Sequence, residues 1–370
     1  MKGDLPNVTI CGCGSGGMAM AADLSLLGCR TCLYEIPDYR ENLEPIRKNG
    51  GIILTGCTSS GKTGLAKFHK ISDQAEEAIE SSELILINTP AMHVGTFLEY
   101  LAPHFVEGQV IVVTTGYWAT LRYKELLRKE GTFNKITFVE EHIMPYLSRK
   151  LDPTHAHIYN YKKDIRMSAW PATKNESALR VITKIYPQIK PSKNVLENNF
   201  YPGNPSCHAQ INIPKAAFFF ERSKEFRFYS EVSMCAAKLA DAFDMERISV
   251  AAAFNCKVPM NSEWEARTYG YSGVNMYEQY GNVSNPHVQR WTTDAGNRRV
   301  LKEDLCYFFV PMEQLAKVVE IDVPITKAII EILQIFADFD YRANGLKLKE
   351  LNLDGLNKNQ IIKYVTYGKI

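Results

Sequence analysis

Two glycine-rich stretches of this chain have the residue types and spacing to hold a phosphate, and each implies different chemistry. GCGSGG, Gly12 to Gly17, fits the pattern GxGxxG, in which backbone N–H groups at a helix N-terminus receive a dinucleotide pyrophosphate. GCTSSGKTG, Gly56 to Gly64, fits GxxxxGK[ST], whose lysine reaches the outer phosphates of a nucleoside triphosphate. The first implies a redox cofactor and the second nucleotide hydrolysis, and one ordinary fold seldom needs both. Only the surrounding elements can decide between them.

The first motif has the context it needs. NVTIC is a short β-branched run, the apolar positions from Met18 to Leu27 fall at helical spacing until Gly28 stops them, and CRTCLYE returns as a second strand. The glycines therefore occupy the first turn of a βαβ unit. Gly12 permits the tight turn, Gly14 lets the backbone approach a pyrophosphate, Gly17 lets helix and strand pack closely, and Ser15 and Gly16 complete the loop. Glu35 ends the second strand, where a carboxylate bonds the ribose hydroxyls and repels a 2′-phosphate, so NAD is expected rather than NADP. The second motif lacks its helix: after Lys62, the run GLAKFHKISD has Gly64 at once and then a fresh cap signal. ELILIN ends in Asn88 and Thr89, with no acidic residue for magnesium. GCTSSGKTG is therefore expected to be the tip of a β-hairpin.

Beyond these motifs, DQAEEAIESS reads as a helix with Asp73 as N-cap, followed by ELILINTP as a strand, a helix around VGTFLEYLAPHF, and QVIVVTT as a strand. Alternation of this kind to about residue 190 predicts a doubly wound Rossmann-type parallel sheet. From about Ser206 helical spacing dominates, and YPQIKPSKNVLENNFYPGNPS, dense in Pro, Asn and Ser, reads as the junction. The expected organisation is an α/β NAD-binding domain over 1–195 and a mostly helical substrate domain over 196–370.

The 370 residues suffice for two full cores. With 45% hydrophobic and 23% charged residues and a net charge of +2, there is no electrostatic case for nucleic acid or membrane, and a small-molecule partner is expected. The odd number of cysteines, nine, and the absence of a leader pattern behind Met1 suit a cytoplasmic protein with reduced thiols. Cys29 and Cys32 form a lone CxxC with no second pair, and no metal is expected.

Across nearly its whole length the chain resembles the opine dehydrogenases, the octopine/nopaline dehydrogenase family. The resemblance is carried by GCGSGG, NTPA, EEHIMPYLSR, NPSCHAQI, the pair Tyr229/Glu231 followed by DMER, RRVLKEDLCYFFVP and VPITKAIIEIL, in that order. Two departures stand out: Ala209 follows the histidine where the family commonly has Pro, and Val300 stands where an aromatic is common.

The resemblance implies reductive condensation of an amino acid with a 2-oxo acid, pyruvate being expected, through an imine reduced by hydride from NADH. It implies His208 as the acid-base group, Asp304 as its carboxylate partner and Arg299 as the grip on the 2-oxo acid carboxylate, with Pro90 of NTPA beside the cofactor. From its residue type alone, His208 is one of eight histidines and could equally cap or face solvent, Asp304 could cap the helix LCYFFVP, and Arg298 competes with Arg299. Glu141, in EEHIMPYLSR at the strand ends facing a cleft, is a candidate to steer the substrate ammonium, or else a solvated loop carboxylate. SEWEARTYGYSGVNMYEQYGNVSNPHVQRW reads as an aromatic loop forming a pocket wall with Trp264, or as satellite core. A monomer or homodimer is expected. The rival readings are a simple 2-oxo or 3-hydroxy acid dehydrogenase of the same plan and a nucleotide sensor without chemistry.

Overall fold

The computed structural model describes residues 5–217, 220, 226–281, 291, 292 and 294–370. It divides into two compact units, Met1–Val195 and Leu196–Ile370.

In the first unit β1 (Val8–Cys11), α1 (Ser15–Leu27) and β2 (Thr31–Tyr34) form the opening βαβ unit, with Val8 beside Thr31 and Cys11 beside Tyr34 in parallel register. After α2 (Leu43–Asn49) the chain makes an antiparallel hairpin of β3 (Ile52–Gly56) and β4 (Gly64–Ala66), then returns to pair β5 (Lys70–Ser72) with β2. Through α3 (Ala75–Ile79) it crosses to the other side of β1 and adds β6 (Leu84–Ile87), α4 (Val94–Leu101), β7 (Val110–Val113), α5 (Ala119–Lys129) and β8 (Thr137–Glu141). β9 (Tyr146–Asp152) and β10 (His155–Tyr161) form a second hairpin. β11 (Ile165–Ala169), α6 (Asn175–Ile182) and β12 (Ile189–Pro191) complete the main sheet, whose order is β12-β11-β8-β7-β6-β1-β2-β5.

VTIC, LILI and VIVV are buried at every position, as central strands covered on both faces must be. The sheet is parallel except that β11 runs antiparallel to β8. A four-stranded sheet, β4-β3-β10-β9, lies against α1. That explains α1, which is buried from Gly16 to Leu24 with no polar face, because sheet covers it on more than one side. Asp73 is not a cap: α3 starts after Gln74, whose N–H donates to the Ser72 hydroxyl at 3.0 Å.

Among its described residues, the second unit is helical but for the short antiparallel pair β13 (Phe226–Arg227) and β14 (Trp291–Thr292). Its helices are α7 (Val195–Phe200), α8 (His208–Asn212), α9 (Met234–Ala253), α10 (Asn261–Tyr269), α11 (Met276–Gly281), α12 (Asp294–Asp304), α13 (Val310–Val318), α14 (Pro324–Ala337), α15 (Tyr341–Asn344) and α16 (Lys358–Tyr367). The aromatic segment expected to be a loop is thus helical over α10 and α11, its residues 282–290 lying outside the described residues. DMER is a tertiary clamp. Asp244 and Arg247 form a buried ion pair at 2.7 Å on α9, Arg247 also donates to the carbonyls of Phe200 and Pro259, and Asp244 accepts the Asn261 N–H at the start of α10. Between them, Glu246 accepts the N–H groups of Ile325 and Thr326 at 2.7 and 2.8 Å, capping the first turn of α14.

Candidate functional site

The winding of the main sheet reverses between β1 and β6, and at such a switch point the loops at the carboxyl ends of the strands form a ligand site. Gly12 sits there with φ +108°, and a Cβ on it would stand 2.6 Å from the Asn88 carbonyl, so only glycine fits. A Cβ on Gly17 would stand 1.8 Å from the Gly12 carbonyl, and one on Gly16 2.3 Å from Asn88 Oδ1, so both are packing glycines. Gly14, the N-cap of α1, is different: nothing lies within 4 Å of its Cβ position. The loop is therefore tight underneath and open above Gly14, where the first N–H groups of α1 lack helical partners. These residues fit a dinucleotide pyrophosphate. Ser15 adds its backbone to this edge, while its side-chain oxygen accepts the Lys150 N–H at 3.1 Å and ties α1 to the small sheet.

Glu35, just past β2, accepts the Cys13 N–H at 2.9 Å and the Ile36 N–H at 3.2 Å. Burial pushes its pKa up, against those hydrogen bonds. The Cys13 bond goes to one carboxylate oxygen and the Ile36 bond to the other, so Glu35 ties the glycine loop to the end of β2. Pro90 follows β6 in extended geometry, φ −53° and ψ 146°, and leads into a 3-10 turn before α4.

The second glycine motif is a hairpin tip. No helix follows Lys62, because β4 begins at Gly64. The Ser59 N–H and hydroxyl donate to the buried Asp23 carboxylate of α1, at 3.1 and 2.6 Å. Loop donors committed to an internal anion are poorly placed for a phosphate.

In the second unit, the 3-10 turn Asn204–Ser206, with Pro205 in its first turn, sets up α8 so that His208 is its first residue. Ala209, where the family commonly has Pro, is in the first helical turn, a place both residues accept because no helical acceptor awaits its N–H. His208 is 7% exposed, and its Nδ1 lies 2.8 Å from Oδ2 of the fully buried Asp304. Its Nε2 lies 3.1 Å from the Tyr229 hydroxyl. Burial alone lowers the pKa of the ring. Against it, Cys207, Tyr229 and the bonded Asp304 hold the net value well above that of an ordinary histidine.

Asp304 is not a helix N-cap. α12 passes through it into a π turn, Leu305–Phe309, and on into α13 without leaving helical dihedrals. Pro311 supplies the cause. It cannot donate to a preceding carbonyl and its ring crowds the turn before it, and the wider π turn takes up the misfit. Asp304 sits at its mouth.

The remaining predicted residues fall elsewhere. Arg299 is on α12 with its side chain 47% exposed, and it pairs with Glu303 at 3.3 Å. Five residues of α-helix turn through about 140° beyond a full circle, so Arg299 and Asp304 occupy different faces. The Arg298 side chain lies outside the described residues. Trp264 is 2% exposed and packs edge-on to Tyr269 at 5.7 Å, which makes it core rather than pocket wall.

Glu141, at the end of β8, is wholly buried, and neither carboxylate oxygen has a hydrogen-bond partner among the described residues. Burial pushes its pKa up to about 8, with Lys162 pulling it down. A carboxyl so placed holds its proton more tightly than an ordinary glutamate, and it is not the solvated loop carboxylate of the alternative reading.

Sequence reasoning missed three features. Tyr229 sits on the second nitrogen of His208. Glu265 is a buried carboxyl pushed up to about 7 by burial, and it accepts from the Tyr280 hydroxyl. At the carboxyl edge of β7, Thr115, Tyr117 and Trp118 all have positive φ, which no local composition signal marks.

Residues 191–337 match the family model for the alpha-helical domain of the NAD/NADP octopine/nopaline dehydrogenases. The chain is 29% identical over 350 residues to an opine dehydrogenase of Arthrobacter sp. (strain 1C), covering 94% of this chain and 95% of that protein. Its fold is similar to that of octopine dehydrogenase in its structure with NADH and L-arginine, with TM-score 0.75, 16% identity, and coverage of 99% of this chain and 98% of the other. It is likewise similar to yersinopine dehydrogenase with NADP+ bound, with TM-score 0.67, 14% identity and 99% of each chain covered. With a Rossmann-type unit followed by a helical unit whose residues 191–337 match the family's own alpha-helical domain, the chain is similar along nearly its whole length to the octopine/nopaline, or opine, dehydrogenases.

Proposed function

We propose that this protein is an NAD-dependent opine dehydrogenase that condenses an amino acid with a 2-oxo acid, pyruvate in the first instance, and reduces the imine that joins them. The observation that carries the reading is the buried 2.8 Å bond between His208 and Asp304. A nucleotide sensor has no need of such an acid-base pair, whereas carbinolamine dehydration needs a proton donor whose tautomer is held.

Residues 1–195 are assigned to the dinucleotide and 196–370 to the substrates. Gly12, Gly14, Ser15, Gly16 and Gly17 shape the pyrophosphate site, Glu35 receives the ribose and Pro90 borders the cofactor. A bound nicotinamide supplies the hydride for the imine carbon. His208 takes a proton from the attacking amine and returns it to the departing oxygen as water leaves. Asp304 fixes the ring with Nδ1–H inward and stabilises the imidazolium. Arg299, whose guanidinium has donors beyond the one it gives Glu303, is assigned to the 2-oxo acid carboxylate. Glu141 and Trp264 are left without a direct substrate contact. All nine cysteines are free thiols, which supports a cytoplasmic setting, with the protein acting as a monomer or homodimer.

The test is the product. Incubating the protein with NADH, pyruvate and a panel of amino acids should yield a secondary amine dicarboxylate, with a mass equal to the condensed and reduced pair. A product in which the 2-oxo acid is simply reduced to a hydroxy acid would replace this reading with that of a 2-hydroxy acid dehydrogenase.

A further inference from the structure

Among the described residues, the Tyr229 hydroxyl is the group hydrogen-bonded to the outer nitrogen of His208. Asp304 accepts from Nδ1, so the proton that comes and goes is the one on Nε2, and the atom facing Nε2 is the Tyr229 hydroxyl at 3.1 Å. The imidazole is nearly sealed, whereas Tyr229 is half-exposed. The tyrosine is also held in place. Its ring meets Phe228 edge-on at 4.8 Å and Tyr280 edge-on at 5.4 Å, and the Tyr280 hydroxyl is fixed by the buried Glu265. Its backbone is steadied one residue earlier, where Lys215 Nζ donates to the carbonyls of Arg227 and Phe228 at 3.1 and 3.3 Å. A phenol placed this way can donate to neutral Nε2, or accept from Nε2–H while donating outward.

Resting on the opine dehydrogenase reading, we propose that Tyr229 is the relay between His208 and the substrate, so that the proton-transfer unit is Asp304–His208–Tyr229. In carbinolamine dehydration, the Tyr229 O–H gives its proton to the carbinolamine hydroxyl as Nε2–H of the imidazolium gives its own to the phenol oxygen. The C–O bond breaks, water leaves, and the nitrogen lone pair forms the C=N bond of an iminium, which carries away the positive charge. His208 ends neutral with Nδ1–H still on Asp304, and the phenol is restored. Charge and atoms balance without a phenolate. In the reverse sense the relay carries a proton from the substrate to His208.

The experiment compares wild type and Tyr229→Phe, which removes only the hydroxyl, by steady-state kinetics across pH with a thermal melt to confirm folding. The relay predicts a kcat lower by about tenfold or more, KM values for both substrates within about twofold, and an altered pH profile for kcat. Replacement of Tyr229 by fluorotyrosines, which keep its shape, should make kcat follow the acidity of the phenol, and this arm decides the matter if the Phe variant does not fold. If the hydroxyl merely fills space that the substrate takes over, Tyr229→Phe keeps the wild-type kcat and pH profile and the fluorotyrosine series is flat, which overturns the relay alone. A wild type that condenses no amino acid with any 2-oxo acid overturns both the relay and the functional reading.

Discussion

His208→Ala should lower kcat by about a hundredfold or more while NADH affinity holds, because positioned acid-base catalysis is commonly worth that much. Asp304→Asn should be milder and should also shift the pH profile. The Asp304 carboxylate helps hold the His208 pKa up, so with the amide the loss of reductive activity at rising pH should begin at lower pH. Arg299→Ala should act chiefly on the KM of the 2-oxo acid, with a smaller effect on the amino acid; an unchanged 2-oxo acid KM would mean that another residue grips that carboxylate. Glu141 gives a stability prediction. Its folded pKa, about 8, is raised above the ordinary 4.5, so the folded protein keeps a proton that the unfolded chain releases. The stabilisation is complete below the unfolded value and is lost as pH climbs towards 8. Glu141→Gln cannot titrate, so its melting temperature should gain on wild type between pH 5 and pH 8. Equal pH dependence in the two proteins would show the carboxyl to be hydrated and ordinary.

At the scale of elements, the parts that local chemistry dictates were legible and the parts made by distant pairing were not. The opening βαβ unit follows from β-branched runs, a 3.6-residue period and Gly28, and the Lys62 hairpin follows from a helix that the sequence cannot continue. The small sheet was only half visible, because β3 finds its other neighbour, β10, about a hundred residues further along the chain. No periodicity reports such a partner. His208 and Asp304 were named from family resemblance, and 96 residues separate them. Tyr229 was in view within a motif but had no role until its hydroxyl was placed. In the sequence DMER is only a family marker, and its geometry shows why such a string matters for folding. Arg247→Ala removes one side of a buried pair and two further hydrogen bonds at once, so a loss of about 3–5 kcal/mol of stability is expected in denaturant unfolding. Lys62→Ala, by contrast, should leave NADH binding unchanged in a fluorescence titration, and a marked loss there would reinstate the hairpin as a phosphate site.

For the molecule as a whole, the claim is that one unit presents a dinucleotide and the other a proton-transfer group built for an amine. Glu35 sets the expected cofactor, and NADH should be preferred to NADPH, with the preference weakened in Glu35→Ala. Equal use of both cofactors by the wild type would remove Glu35 from its assigned role. The most direct test of the central claim is NADH consumption with pyruvate, measured with and without a panel of amino acids. The account predicts oxidation that depends on an amino acid and saturates with it, with little turnover on pyruvate alone. Full-rate NADH oxidation by a 2-oxo acid with no amine present would contradict it.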